Sequence, residues 1–389
     1  MTETDGRKTI PIARPWIGEE EIEAVSRVLR SGWITQGPEV AKLEQEFALA
    51  IGADHACAVS NCTTALHLAL LALEVGPGDE VITVSHSFIA TANTVRMCGA
   101  TPIFVDVEPA TFNIDPERFE EALTDRTKAI LCVHQMGMPC DLGAILRFSR
   151  RHSLGVIEDA ACAIGSEVQV EERWERIGKP HGDLACFSFH PRKVVTAGEG
   201  GMITSSSGKL DDEIRLLRHQ GMSISDAVRH ESASVLVESY PVLGYNYRLT
   251  DIQAAVARVQ LGRLPEIVEQ RRRLGALYAA GLDRVPEVRA PHEADWARSN
   301  WQSYCVRLAG DLKQERVMQF LLDRGISTRR GIMCAHREDP YRSPPPRHTL
   351  TESERAQDRC ILLPLYQEMS EGEIERVVDA LAEAVGHSR

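Results

Sequence analysis

The chain has 389 residues, 43% of them hydrophobic and 26% charged, a balance that excludes disorder, collagen and a coiled coil as the main state. At about 150 residues per domain, this length predicts two to three domains with a large buried core. Acidic residues outnumber basic ones 56 to 44, for a formal net charge of −12, which speaks against binding to a nucleic-acid backbone.

Residues 19 to 50 carry a helical pattern broken at Ser31-Gly32, with Pro38 suited to the first turn of the second helix. Apolar runs then alternate with amphipathic ones. Ala56–Val59, Val81–Val84, Ile103–Val107, Ala129–Val133, Gly155–Glu158, Ala185–Phe189 and Met202–Thr204 are predicted strands. Thr63–Leu73, Phe88–Met97, Pro116–Leu123 and Leu142–Arg151 are predicted helices between them. This alternation implies an α/β fold around a mostly parallel sheet covered on both faces. The charged stretch Glu167–His181 reads as a surface loop.

After residue 205 the character changes. Leu210–His219 and Thr250–Leu282 read as helices, the second interrupted by Pro265. A strand at Ser303–Leu308, a helix at Leu312–Asp323 and a closing helix at Glu371–Val385 make a smaller α/β unit. The expected division is therefore 1–261 for an N-terminal segment and large domain, and 262–389 for a small C-terminal domain. Arg342–Pro346 is a loop, and Arg271-Arg272-Arg273 a solvated helix face. No pair among the cysteines has C-x-x-C spacing, so no metal site is expected. Met1–Thr9 lacks the apolar core of a secretory signal, and no apolar run approaches the roughly 20 residues of a membrane helix. A cytoplasmic protein with reduced thiols and no membrane partner is the expectation.

Chemistry concentrates where predicted strands end. Phe187-Ser188-Phe189-His190-Pro191-Arg192-Lys193, followed by Gly198-Glu199-Gly200-Gly201, puts a lysine on the turn after a strand. An isolated lysine there is ordinarily a surface residue. Held beside an apolar or cationic pocket, it can lose its proton and form a Schiff base. Gly155-Val156-Ile157-Glu158-Asp159 delivers two carboxylates to the sheet edge where α/β proteins bind ligands. One could hold a protonated ring nitrogen, or Asp159 could simply cap the next turn. At Ser60-Asn61-Cys62-Thr63 a strand gives way to a helix, whose amides and the Thr63 hydroxyl form an anion site, unless Asn61 or Thr63 is an ordinary cap. Phe88 either stacks on a flat ring or fills the core, the commoner fate. An anion cradle, a stacking ring, a carboxylate and a lysine are the four things pyridoxal phosphate needs.

Ser31-Gly32-Trp33-Ile34-Thr35-Gln36-Gly37-Pro38, Asn61-Cys62-Thr63-Thr64-Ala65-Leu66-His67-Leu68 and Phe88-Ile89-Ala90-Thr91-Ala92-Asn93 occur in order. Glu158-Asp159-Ala160-Ala161, the Phe187–Lys193 stretch and Gly244-Tyr245-Asn246-Tyr247-Arg248 follow. Together they resemble the DegT/DnrJ family of pyridoxal-phosphate-dependent sugar aminotransferases, from about Ile10 to the C-terminus. The resemblance implies the aspartate-aminotransferase type of fold (fold type I), with a large, mostly parallel seven-stranded sheet and a homodimer sharing two active sites. It implies Lys193 as Schiff-base lysine and proton shuttle, and Asp159 as the pyridinium's partner. It also implies Phe88 as the stacking ring, and Thr63, the Cys62 backbone and Ser188 as the phosphate cradle. Asn246 and Arg248 stand where the family reaches across the dimer interface. Trp33, Thr35, His134 and Arg248 are the candidate substrate contacts; for His134 a purely structural role is the alternative. Arg329-Arg330 either meets phosphates or is an exposed pair.

Three departures stand out. Cys162 occupies the place of a glutamine that contacts the cofactor's ring hydroxyl in many members, Thr196-Ala197 replaces two threonines, and Glu167–His181 is longer than usual. By resemblance the amino donor is L-glutamate and the acceptor a nucleotide-linked keto-deoxysugar, aminated by ping-pong transamination. An inosose-type cyclitol is the nearest rival acceptor. Dehydratase relatives carry histidine in place of the lysine, so Lys193 argues against them; the complete set of site residues argues against a non-catalytic regulatory relative.

Overall fold

The computed structural model describes residues 9–170, 172–224, 229 and 232–387. Strands run in chain order as β1 (His55–Val59), β2 (Glu80–Val84), β3 (Thr101–Val105), β4 (Thr127–Val133) and β5 (Gly155–Asp159). They continue as β6 (Glu167–Val170), β7 (Arg173–Arg176), β8 (Leu184–Ser188) and β9 (Gly201–Ser205). Seven of these form one sheet in the order β1-β9-β8-β5-β4-β2-β3. Only β9 runs against the others.

The strands of this sheet are largely apolar because both faces are covered. Alternate side chains serve opposite layers. Ile82, Ile130, Val156, Ala185 and Met202 pack with Leu43 and Phe47 of the helix Pro38–Ile51. Val81, Leu131, Ile157, Cys186 and Ile203 pack on the other face, against the helix Cys62–Ala72. Because the parallel strands point one way, the carboxyl ends of β1, β2, β5 and β8 share an edge, and antiparallel β9 begins there. That edge is where an open α/β sheet presents its binding site.

The C-terminal strands are β10 (Val288–Arg289), β11 (Ala297–Arg298), β12 (Tyr304–Leu308), β13 (Arg329–Arg330) and β14 (Cys360–Leu363). The order β10-β12-β14-β13 gives a small antiparallel sheet over a second core that includes Tyr278, Tyr304, Val377 and Leu381. The helix Leu264–Leu282 joins the two cores. Its Leu264, Ile267 and Val268 belong to the large-sheet layer, and its Leu274, Tyr278 and Leu282 to the second. Ile10, fully buried, also enters the second core and bridges to Ile326.

The break expected at Pro265 is present: one helix ends at Gly262 and the next starts at Leu264, so the proline falls in a first turn, where its missing N–H costs nothing. Several sequence expectations need correction. Phe88 precedes its helix, which runs Ala90–Met97. Glu167–His181 is not a simple loop, because β6 and β7 form a hairpin that pairs with β11. Its charged residues gave no apolar alternation, and it is held partly by long-range contacts: Arg298 stacks on Trp174 at 3.9 Å and Arg272 meets Glu167 at 3.2 Å. The helix Thr351–Arg359 and strand β14 were not anticipated, being short and polar or only four residues long. Among the described residues no helix is long and apolar enough to cross a membrane, and no cluster of three His, Cys, Asp or Glu could hold a metal.

Candidate active site

Strand β8 is pinned by aromatic packing: Phe47 meets Phe187 and Phe189 edge-on at 5.0 and 5.9 Å. The chain then turns, with the Lys193 amide donating to the His190 carbonyl at 2.8 Å. This presents the Lys193 ammonium to Cys162, Nζ to Sγ 3.0 Å. Burial opposes the charge on Lys193, but Cys162 and Asp159 hold its pKa above the ordinary lysine value.

Asp159 ends β5 and is buried. Its Oδ2 accepts from the Thr91 hydroxyl at 2.9 Å and its Oδ1 from the Ala161 amide at 3.2 Å. Burial lifts its pKa above the usual value; Thr91, the Ala161 amide and Lys193 pull the other way without cancelling it. Burial, reinforced by Asp159, also drives the Cys62 thiol well up, so Cys62 is neutral.

Asn61 caps the helix Cys62–Ala72 through Oδ1 and the Thr64 amide, 2.9 Å. The cap is therefore Asn61 and not Thr63, whose hydroxyl makes no hydrogen bond among the described residues. The amides of the first turn face the sheet edge. Strand β9 comes close here because position 201 has no side chain: a Cβ there would stand 2.6 Å from the Asn61 carbonyl carbon and 2.9 Å from the Cys62 amide nitrogen. Ser188 is half-buried at the end of β8, and its Oγ accepts from the His190 amide at 3.4 Å. Phe88 is 69% exposed, so it does not fill the core and its ring is open to a ligand.

The remaining residues lie further out. Trp33 folds back on its own turn, Nε1 donating to the Gln36 carbonyl at 3.0 Å, over a glycine at 37 whose Cβ would overlap the indole. The Thr35 carbonyl accepts from the Asp251 amide at 3.0 Å. Asn246 and Arg248 lie beside β1, where Ser60 donates to the Tyr247 carbonyl at 2.8 Å. Arg248 donates to Asn246 at 3.1 Å and meets His219 at 3.0 Å.

His134 is a correction. It is fully buried, its Nδ1 accepting from the Cys140 amide at 3.0 Å and its Nε2 meeting Glu158 at 3.0 Å. Both ring nitrogens are committed, so it cannot bond a substrate hydroxyl. Sequence reasoning passed over Thr91, although it sits in a motif already noticed. It also missed Asn300, whose amide donates to the Cys162 and Ile164 carbonyls at 2.9 and 2.8 Å. A lone asparagine remote from every motif carried no signal.

The donor set suits pyridoxal phosphate: an amine, a buried carboxylate with a raised pKa, helix amides beside two hydroxyls, and an open aromatic face. Fold and site together define a pyridoxal-phosphate enzyme of the aspartate-aminotransferase fold type. Residues 15–382 match the model of the DegT/DnrJ/EryC1/StrS aminotransferase family, to which the chain belongs. It is similar to the aminotransferase TlmJ from Streptoalloteichus hindustanus, with 32% identity, coverage of 97% of this chain and 99% of that one, and a TM-score of 0.89. PseC from Helicobacter pylori, an aminotransferase involved in the biosynthesis of pseudoaminic acid, gives 25% identity over 98% and 100% at a TM-score of 0.90. DesI, solved in the presence of its TDP-sugar product, gives 30% over 97% and 94% at 0.87. The family is pyridoxal-phosphate-dependent, and solved relatives include PLP and PMP forms. The chain is thus a sugar aminotransferase.

Proposed function

We propose that this enzyme moves the amino group of L-glutamate to a nucleotide-linked keto-deoxysugar in two half-reactions at one site. The observation that carries the reading is a lysine amine poised on a turn beside Cys162, with the buried Asp159 among the charges acting on it. DesI, with its TDP-sugar product, supports the acceptor class.

Lys193 would hold the cofactor and, as a free amine, would move a proton between the substrate carbon and the cofactor's C4′. Asp159 keeps a proton on the ring nitrogen. Thr91, bonded to the second carboxylate oxygen, fixes its orientation. When bound, pyridoxal phosphate takes up the electron pair left on the substrate carbon. Phe88 would cover one ring face. Thr63, Ser188 and the first-turn amides from Cys62 would take the phosphate, and Cys162 would stand in for the glutamine that contacts the ring hydroxyl in many members. Trp33, Thr35 and Arg248 are the substrate contacts that remain.

The working form is a cytoplasmic homodimer, with Asn246 and Arg248 reaching the neighbour's site. The apolar surface that such a dimer would cover includes Ile22, Leu29 and Ile34, exposed by half or more, and Val235, Val237 and Leu243, each above 80%. The test is the visible spectrum of the loaded enzyme on adding L-glutamate without acceptor. Conversion to the amine form, then reversal by a nucleotide-linked keto-sugar, is expected. A band indifferent to glutamate overturns the donor assignment.

A further inference from the structure

Arg192 immediately precedes Lys193. Its backbone is fixed on both sides, the amide donating to His190 Nδ1 at 3.3 Å and the carbonyl accepting from Gln302 Nε2 at 2.9 Å. Its half-buried guanidinium nevertheless has no hydrogen bond or ion pair among the described residues. Arg329 has none either, whereas its neighbour Arg330 pairs with Glu338 at 3.9 Å. Arg329 lies opposite Leu362 in the β13–β14 ladder, and Leu362 lines the same cleft as Arg192, Gln302 and Ser303.

The two guanidinium groups feel each other. Burial and the Arg329 charge depress Arg192 against the opposing pull of Cys162, while burial, Lys193, Arg192 and Arg329 depress His190. Glu199 is the one carboxylate acting on His190, and it is exposed and forms no ion pair among the described residues. Like charges gathered without a counter-ion are costly, and an arriving anion relieves that cost.

We infer that Arg192 and Arg329 form the subsite for the carboxylate of the amino donor. The proposal rests on the transaminase reading above. A donor's α-carboxylate is attached to the reacting carbon, which must come within reach of Lys193, and Arg192 is the adjacent residue. A nucleotide's diphosphate lies several bonds from the carbonyl to be aminated. The planar, always charged guanidinium suits a carboxylate; Arg192 lines the cleft, and Arg329, exposed, stands beside it on the strand residue that pairs with Leu362.

The test measures binding of 2-oxoglutarate to the PLP-loaded enzyme, which can hold this dicarboxylate but not convert it, by titration calorimetry. Arg192→Gln and Arg329→Gln should each weaken binding by about 10- to 100-fold while leaving the visible cofactor band intact. Arg329→Lys should weaken it less. Wild-type enzyme that does not bind 2-oxoglutarate, or variants that bind it unchanged, overturns the proposal. So does a loss confined to thymidine diphosphate, which would assign the arginines to the acceptor. If 2-oxoglutarate binds through the arginines while L-glutamate leaves the spectrum unchanged, the donor reading fails and the carboxylate subsite stands.

Discussion

Glu158 and Asp159 are consecutive on β5, both are buried, and their pKa values move in opposite directions. Glu158 points into the layer beneath the sheet edge, where His134 Nε2 at 3.0 Å and the His181 and Gly182 amides at 3.2 and 3.1 Å crowd its two oxygens. Burial alone would raise it, but His134, His181 and the Gly182 amide outweigh burial and hold it below the usual range. Among the described residues Asp159 accepts hydrogen bonds from the Thr91 hydroxyl and one amide alone, which with the Lys193 and His134 charges do not offset burial, so its pKa rises. The first carboxylate is complete without a ligand. The second is under-supplied with partners, as a carboxylate awaiting a cationic ring nitrogen should be.

The largest effect expected across this comparison is at the site itself. Lys193→Ala should reduce turnover by more than about 10³-fold, since in the proposed mechanism it removes both the covalent anchor and the proton carrier. Substantial residual conversion in single-turnover assays would reject that role. Next comes the structural carboxylate. Glu158→Gln leaves His134 without its charged partner and should cost roughly 3 kcal/mol of folding stability. Folded enzyme should keep most of its kcat, so the loss is read in urea unfolding and not in the assay.

Asp159→Asn should behave in the opposite way. Turnover should fall by about 10²-fold as the ring nitrogen loses its proton partner. The cofactor-free protein, in contrast, should gain stability at neutral pH. A raised folded-state pKa means that Asp159 favours folding below the unfolded carboxyl pKa and disfavours it as pH rises through the folded value. Glu158, with a lowered pKa, favours folding above the unfolded value, and that contribution fades as pH falls through the folded one. Thermal unfolding of the Asn and Gln variants across pH 4–8 should therefore diverge from wild type with opposite signs; parallel curves would dissolve the distinction.

This contrast marks what sequence can carry. The strands of the large sheet were legible because their runs are apolar and β-branched, and Lys193, Asp159 and the Cys62 turn were legible because each follows one. Two adjacent carboxylates on one strand look alike until the neighbouring elements are placed. His134 was readable as a substrate contact only while Cys140 and Glu158 were not seen to occupy both its nitrogens. The β6–β7 hairpin was hidden because its partner, β11, lies more than a hundred residues away in charged sequence. Asn300, which fixes the Cys162 backbone, belongs to the same class of long-range contact.

The smallest effect concerns Cys162. Its sulfur accepts the Lys193 hydrogen bond, and its carbonyl is anchored by Asn300, so the contact is built and not incidental. In the cofactor-free protein, Cys162 is the largest of the influences that hold Lys193 above the ordinary lysine pKa against burial. A stabilised ammonium favours folding below the unfolded lysine pKa, and the benefit is lost as pH rises through the folded value. It also slows capture of the cofactor, because only the neutral amine attacks an aldehyde. Cys162→Ala leaves burial unopposed by the thiol, so the neutral fraction grows. Incorporation of pyridoxal phosphate near pH 7.5, followed by the visible band, should then be about two- to tenfold faster, because the lysine pKa falls when the thiol is removed. The two enzymes should converge at alkaline pH, where both amines are neutral. A rate that is equal or slower at neutral pH would show that Cys162 contacts Lys193 without setting its charge.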